Sequence, residues 1–284
     1  SRDATGAPNH LRVERLKDKL GTRQLPTAEL TLDGTPALPV GELSNGVRAI
    51  STVLNITRTW NSVAALAYMR RGLALARSYA AVRRAFGRPL TEHPLHADTL
   101  AGLQAEFEAS FHLTFFVVEL LGRAECNTAT DDEQALLRLL TPVVKLTTGR
   151  QAVAIASEVL EAFGSAGYVE DTGLPVLLRD TQVLTIWEGT TNVLSLDTLR
   201  ALGDAGIAPL TGAAEQALTE VREPGLVAVA EHVRTALHSA RAWLDAHTAR
   251  DDASREADAR RFALTLGRAA AAALLARHAQ WALD

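Results

Sequence analysis

From about Leu43 onward the chain consists largely of long stretches in which apolar residues recur at helical spacing, with few glycines or prolines inside them. Leu113, Phe116, Val117, Leu120 and Leu121 follow the i, i+3, i+4, i+7, i+8 pattern of a helix that buries one face. Several such stretches joined by short connections favour an antiparallel bundle. Composition agrees: 47% of residues are apolar but only 5% are aromatic, so Ala, Leu and Val must build the core, and Ala and Leu prefer helices. The expected fold is mainly α.

Local signals divide the chain further. A first long helix is expected from about 43 to about Phe86, where Phe86-Gly87-Arg88-Pro89 stops it. A second starts near His93 or Pro94. Thr130-Asp131-Asp132-Glu133 reads as a capping box that opens a third, running to about Phe163 and stopping at Gly164-Ser165-Ala166-Gly167. A loop with Gly173 and Pro175 leads to a short helix near Val176 to Asp180, and a further helix ends near Leu202. Residues 203–212 read as a linker. Two Ala-rich helices, roughly 213–248 and 255–283, read as a hairpin.

The first 42 residues behave differently. Glu29-Leu30-Thr31-Leu32 alternates polar and apolar, Asp33-Gly34 supplies a turn, and Pro26, Pro36 and Pro39 exclude long helices. This segment reads as a short β remnant whose partner strands lie elsewhere. The chain opens on Ser1 and not on methionine, so it is read as a fragment of a longer protein.

The formal net charge of −4 argues against a general nucleic-acid binder. A single cysteine, Cys126, allows no internal disulfide and fits a reducing cytoplasm; at a loop it is expected to be inert. The most apolar late stretch, Ala269 to Ala276, is bracketed by Arg268 and Arg277 and is too short to cross a bilayer. No signal peptide is visible. Arginine outnumbers lysine and alanine is abundant, a pattern associated with GC-rich bacterial genomes. His93 and His96 lack a third nearby ligand, so no metal site is expected. Asp251, Asp252, Glu256 and Asp258 read as a solvated turn.

The segment from Ile186 to Asn192 is the most informative. A carboxylate, a glycine, two threonines and an asparagine stand at the entrance to a helix, where Thr190 or Thr191 would cap and free N–H groups favour an anion. Glu188 lies just outside, beside Trp187. Partial desolvation there would make it a usable base near neutral pH; the plainer alternative is a solvated loop glutamate.

Ile186-Trp187-Glu188-Gly189-Thr190 resembles the (Y/W)-E-G-T segment of acyl-CoA dehydrogenases. Phe163-Gly164-Ser165-Ala166-Gly167-Tyr168 resembles that family's F-G-G-x-G-(F/Y) turn, and Leu178-Arg179-Asp180 its (M/L)-R-D. Arg83-Arg84-Ala85-Phe86-Gly87 resembles its R-x-x-F-G, and Arg58 holds the arginine position of its first long C-terminal helix. Each motif is short, but all five occur in order and at the right spacing. The resemblance implies the C-terminal helical bundle of that fold over 43–203, preceded by a remnant of the middle β-domain over 1–42. An additional helical hairpin region over 204–284 is similar to the branch containing AidB.

The resemblance also implies roles. Glu188 would be the catalytic base and Arg58 would help place its loop. Arg83 would contact the pyrophosphate of FAD, usually that of the neighbouring subunit, with Phe86 packing near the flavin. Gly164 and Gly167 would let backbone approach the adenosine part, Thr190 would hydrogen-bond FAD, and Asn192 would stand near it. Glu161 stands where many members have a cofactor-contacting glutamine. Pro94 replaces another glutamine, and Ser165 the second glycine of the turn. Thr57 stands where the isovaleryl-CoA type carries its relocated glutamate, so Glu188 is the sole candidate base. The Glu161 and Pro94 replacements, with Arg15-Leu16-Lys17-Asp18-Lys19-Leu20-Gly21, look most like the AidB branch.

The expected function is therefore FAD-dependent α,β-dehydrogenation of an acyl-CoA thioester, reoxidised by an electron-transferring flavoprotein, in a cytoplasmic homodimer or homotetramer. The alternative is an AidB-like protein protecting DNA, with weak dehydrogenation. That role is disfavoured because the region from Thr211 carries nine arginines against ten acidic residues; a basic face would need Arg250, Arg255, Arg260 and Arg261. A third possibility, a non-catalytic scaffold, is weakened by the presence of Glu188.

Overall fold

A computed structural model describes residues 2, 5–7, 9–203, 205–247 and 252–284. Ser1, Arg250 and Asp251 lie outside the described residues. The described chain starts with strands β1 (Leu11–Leu16) and β2 (Ala28–Leu32), which pair antiparallel in a two-stranded sheet. Their register slips between Val13 and Arg15. Val13, Leu16, Leu30 and Leu32 remain exposed, as expected of strands without a sheet to pack on.

A short helix α1 (Gly46–Ala49) precedes α2 (Ser51–Val82). After α2 the chain makes a minimal hairpin, β3 (Arg84–Ala85) and β4 (Arg88–Pro89). Phe86 and Gly87 form its tip with φ of +48° and +86°. The next helix, α3 (Pro94–Glu125), places its proline in the first turn, where the missing N–H costs nothing. The expected capping box opens α4 (Asp131–Ala162): Thr130 Oγ1 accepts from Glu133 N at 3.2 Å, and Glu133 Oε2 accepts from Thr130 N at 2.9 Å.

Helix α4 is central because it is buried on more than one face, with every residue from Leu139 to Gly149 buried. It packs against α2, α3, α5 (Leu174–Gln182), α6 (Thr191–Ala201) and α9 (Asp252–Leu283). One core joins α2, α3 and α4 through Leu66, Met69, Leu73, Phe107, Ile155 and Val159. A larger one joins α3 and α4 to α7 (Ala208–Leu218), α8 (Pro224–His247) and α9. Where α9 crosses α4, Gly267 is required, since a Cβ there would lie 2.2 Å from Thr147 Oγ1.

The end of the chain differs from the sequence expectation. Helix α7 starts inside the expected linker, and the expected helix over 213–248 is two helices broken at 219–223. Pro209 sits in the first turn of α7, where proline initiates a helix and does not break one. The break is held by Gln280, whose Oε1 accepts from the backbone N–H of both Arg222 and Glu223 at 2.9 Å. The α8–α9 hairpin is present as expected. Among the described residues no helix is long and apolar enough to cross a membrane.

Candidate active site

The turn from Ile186 to Thr190 lies between the N-terminal part of α2, the middle of α4 and the start of α6. Its backbone is unusual: Glu188 has φ +60° and Gly189 φ +109°. Glycine takes such angles freely, but a side-chain-bearing residue pays about 1–2 kcal/mol for them. Several contacts outweigh that cost. Arg58 Nε donates to Glu188 O at 3.2 Å, and Lys145 Nζ donates to Gly189 O at 2.6 Å. Thr57 Oγ1 donates to Glu188 Oε2 at 2.6 Å. With the Asn61 amide oriented to satisfy both neighbours, its oxygen accepts from Trp187 Nε1 at 2.5 Å and its nitrogen donates to Leu184 O at 3.3 Å.

Arg58 is itself held. Asp197 on α6 accepts from Arg58 Nη1 and from Arg138 Nη2, each at 2.7 Å. Burial by itself would push the Asp197 carboxyl up, but the two guanidiniums outweigh it and hold the group below the usual carboxylate range. Lys145 has no exposed surface. Burial, with a smaller push from Arg58, brings its ammonium down to about 8, against the opposing pull of Glu188.

The structure thus brings together Glu188 and Arg58 of the expected residues, and Thr190 stands next to them. Thr190 is the cap of α6, its Oγ1 accepting from Val193 N at 3.5 Å, while Thr191 is buried inside the helix. Asn192 is exposed, and its Oδ1 accepts from Arg260 Nη1 at 3.2 Å.

Arg83, Phe86, Glu161, Gly164 and Gly167 gather elsewhere. Tyr79 near the end of α2 stacks on Phe163 at the end of α4, with ring centroids 4.4 Å apart, so both turns share one end of the bundle. Arg58 lies near the other end of α2, and the 1.5 Å rise per residue puts Arg83 roughly 35 Å from it. Arg83, Glu161 and Gly164 are exposed, and Phe86 is 97% exposed. At Gly167 the steric demand is internal: a Cβ would lie 1.9 Å from Leu160 O, the backbone of α4 itself. Gly164, with φ +62° and open space around it, is a left-handed helix stop.

Sequence reasoning missed Lys145, Asp197, Arg138 and Asn61, and treated Thr57 only as the absence of another base. One signal was available: Lys145 is a lone cation inside a stretch of apolar and small residues in α4. Two open grooves, of about 590 and 610 Å³, are lined by residues including Tyr79 and Phe163 in one and Arg77 and Gln104 in the other; Glu188 lines neither. Glu188 itself is half-buried in its turn. Among the described residues no cluster of three His, Cys, Asp or Glu side chains is suited to a metal ion.

Residues 44–203 match the family model described as acyl-CoA dehydrogenase, C-terminal domain, and residues 211–284 match acyl-CoA dehydrogenase 11 C-terminal domain-like. Acyl-CoA dehydrogenase family member 11 of Caenorhabditis elegans is 54% identical over 199 residues, covering 70% of this chain and 32% of that protein. AidB of Escherichia coli is 34% identical over 218 residues, covering 76% of this chain and 39% of that protein. The crystal structure of C. elegans ACDH-11 in complex with C11-CoA superimposes with a TM-score of 0.95 at 44% identity, over 98% of this chain and 48% of that one. The chain spans between about a third and a half of the length of these relatives.

Proposed function

The chain belongs to the acyl-CoA dehydrogenase family, and from that premise we propose that it is the base-bearing helical part of an FAD-dependent enzyme that desaturates an acyl-CoA thioester. The observation that carries the reading is the Glu188 turn. A half-buried carboxylate stands in this turn, and its backbone is clamped from α2 and α4 into a conformation it would not adopt unaided. Structural strain of this kind is retained where a side chain must be aimed.

Glu188 takes the α-proton of the thioester. Thr57 fixes one carboxylate oxygen, and Arg58, held by Asp197, fixes the backbone behind it. FAD, when bound, supplies the acceptor for the β-hydride. The residues of this chain fit that cofactor in two places. Thr190 at the start of α6 is exposed with first-turn N–H groups beside it. At the far end of α2, Arg83 offers a guanidinium for a pyrophosphate, and Phe86 offers an exposed apolar ring that meets the edge of His93 at 6.2 Å. The separation of the two sets along α2 supports the implication that Arg83 and Phe86 serve the cofactor of a second subunit, in a homodimer or homotetramer. Glu161 brings a negative charge to that end, where glutamine is frequent. An electron-transferring flavoprotein is the expected oxidant of the reduced flavin, and the C11-CoA complex of the C. elegans relative supports an acyl-CoA as substrate.

The test is a visible spectrum of the FAD-loaded protein before and after anaerobic addition of acyl-CoAs. Bleaching of the flavin band is expected. Glu188→Gln should retain FAD and lose bleaching by at least about a hundredfold; full activity in that variant would overturn the assignment.

The similarity to AidB keeps a second reading, DNA protection, in view. Interleaved acidic charge counts against it. In the C-terminal region Arg222 pairs with Asp284, Arg234 with Glu215 and Glu231, Arg241 with Asp245, and Arg255 with Asp252, so these four arginines, of which Arg255 belongs to the basic face, already meet carboxylates where phosphate binding would need them free; Arg260 of that face donates to the Asn192 amide oxygen. A salt-sensitive mobility shift of duplex DNA would restore the DNA reading.

A further inference from the structure

Lys145 is the largest of the fully buried side chains among the described residues, with no exposed surface. An ammonium stripped of water is costly, and an apolar side chain of similar length would fill the same space without that cost. Its presence calls for an interaction that only a cation donor provides. Nζ makes a hydrogen bond of 2.6 Å to Gly189 O, the carbonyl that follows the base. The charged groups that act on it are Arg58 from α2, which opposes its charge, and Glu188 from the turn, which favours it.

The turn is held at three points from two helices, α2 and α4. Thr57 holds the Glu188 carboxylate, Arg58 holds the Glu188 carbonyl, and Lys145 holds the next carbonyl from underneath. Both Glu188 and Gly189 are in positive-φ conformations, so a carbonyl released from Lys145 leaves the backbone free to relax toward commoner angles and to swing the carboxylate away. We propose that Lys145 is a positioning residue for the dehydrogenation: its ammonium, bound to Gly189 O, fixes the left-handed Glu188–Gly189 turn and so aims the Glu188 carboxylate. This inference rests on the reading of Glu188 as the base.

Lys145→Met in the FAD-loaded protein removes the charge and the donor but keeps the length of the stem. The expected result is a fall in kcat of roughly 10–100-fold, the scale of a misaligned catalytic group, with KM for the acyl-CoA and the flavin spectrum little changed. Lys145→Arg, which keeps a cationic donor, should recover part of the loss. Unchanged kcat in Lys145→Met would overturn the proposal. So would a fall accompanied by equal loss of FAD and substrate binding, the mark of a general packing defect. Hydrogen exchange separates this proposal from the reading beneath it. In Lys145→Met, amides of 186–192 should exchange faster while those inside α4 do not. If the wild-type protein bleaches with no acyl-CoA, the base assignment fails, and the exchange pattern alone decides whether Lys145 holds the turn; unaltered protection of 186–192 would show that it does not. Should Lys145→Met fail to fold, Lys145→Gln is read by the same two measurements.

Discussion

At Asp197 one carboxylate meets guanidiniums from two other helices, Arg58 from α2 and Arg138 from α4. The Arg58 side chain is 14% exposed and that of Arg138 is 44% exposed, so the first bond carries most of the stabilisation. Asp197→Ala leaves a largely buried arginine without its counter-charge. A loss of about 2–4 kcal/mol is expected, read as a lower urea midpoint; an unchanged midpoint would contradict the pairing. Lys145 gives a pH signature of opposite sign to that of a favourable pair. Its folded value near 8 lies below the ordinary 10.5, so between these values the unfolded chain binds more protons. Stability must then rise with pH from about 8 to about 10.5, and the penalty is present in full below that window. Urea unfolding of wild type and Lys145→Met across that range should show the difference between them changing by on the order of 2–3 kcal/mol. A constant difference would mean that the buried ammonium does not titrate there.

Among the elements, the end of α4 shows how one glycine differs from another three residues away. Gly164 has φ +62° and nothing near its missing Cβ, so alanine there costs only left-handed strain, about 1 kcal/mol. Gly167 faces the Leu160 carbonyl at 1.9 Å from an added Cβ; the obstacle is backbone, and no side-chain rotation relieves it. Gly167→Ala should therefore lower Tm by clearly more than Gly164→Ala, and thermal melts of the two variants side by side check the order. Sequence motifs treated both glycines as places where a cofactor comes close. Only the packing of the turn back onto α4 shows that Gly167 is already required by the chain itself.

Over the whole molecule, the larger core is shared between the bundle and the C-terminal helices. Leu113, Val117, Leu120, Leu139 and Val143 of α3 and α4 belong to the same cluster as Leu210, Val233, Leu237, Phe262 and Leu266 of α7, α8 and α9. The C-terminal region is thus part of the fold that supports the Glu188 turn, and Arg260 of α9 reaches Asn192 directly. Ending the chain at residue 210 would uncover those side chains, each worth about 1.5–3 kcal/mol when buried. The truncated protein should be insoluble or melt without cooperativity. A soluble, cooperatively melting product by circular dichroism would show that the C-terminal helices are an independent attachment.

What could be read from the sequence alone was whatever is encoded over a few neighbouring residues. Helical periodicity announced the α class, the Thr130–Glu133 box marked the start of α4, and Gly87, Gly164 and Gly173 marked stops or turns near where they occur. The segment bearing Glu188 also stood out, since a carboxylate at a helix entrance is a local pattern. The ends of α7 and α8 did not, because Gln280, which holds the break between them, lies 58 residues beyond Arg222. The partners of the turn were equally hidden: Lys145 is 44 residues from Gly189, and Arg58 is 139 from Asp197. Which buried cation meets which carbonyl is decided by how α2, α4 and α6 cross, and no short stretch of sequence carries that information.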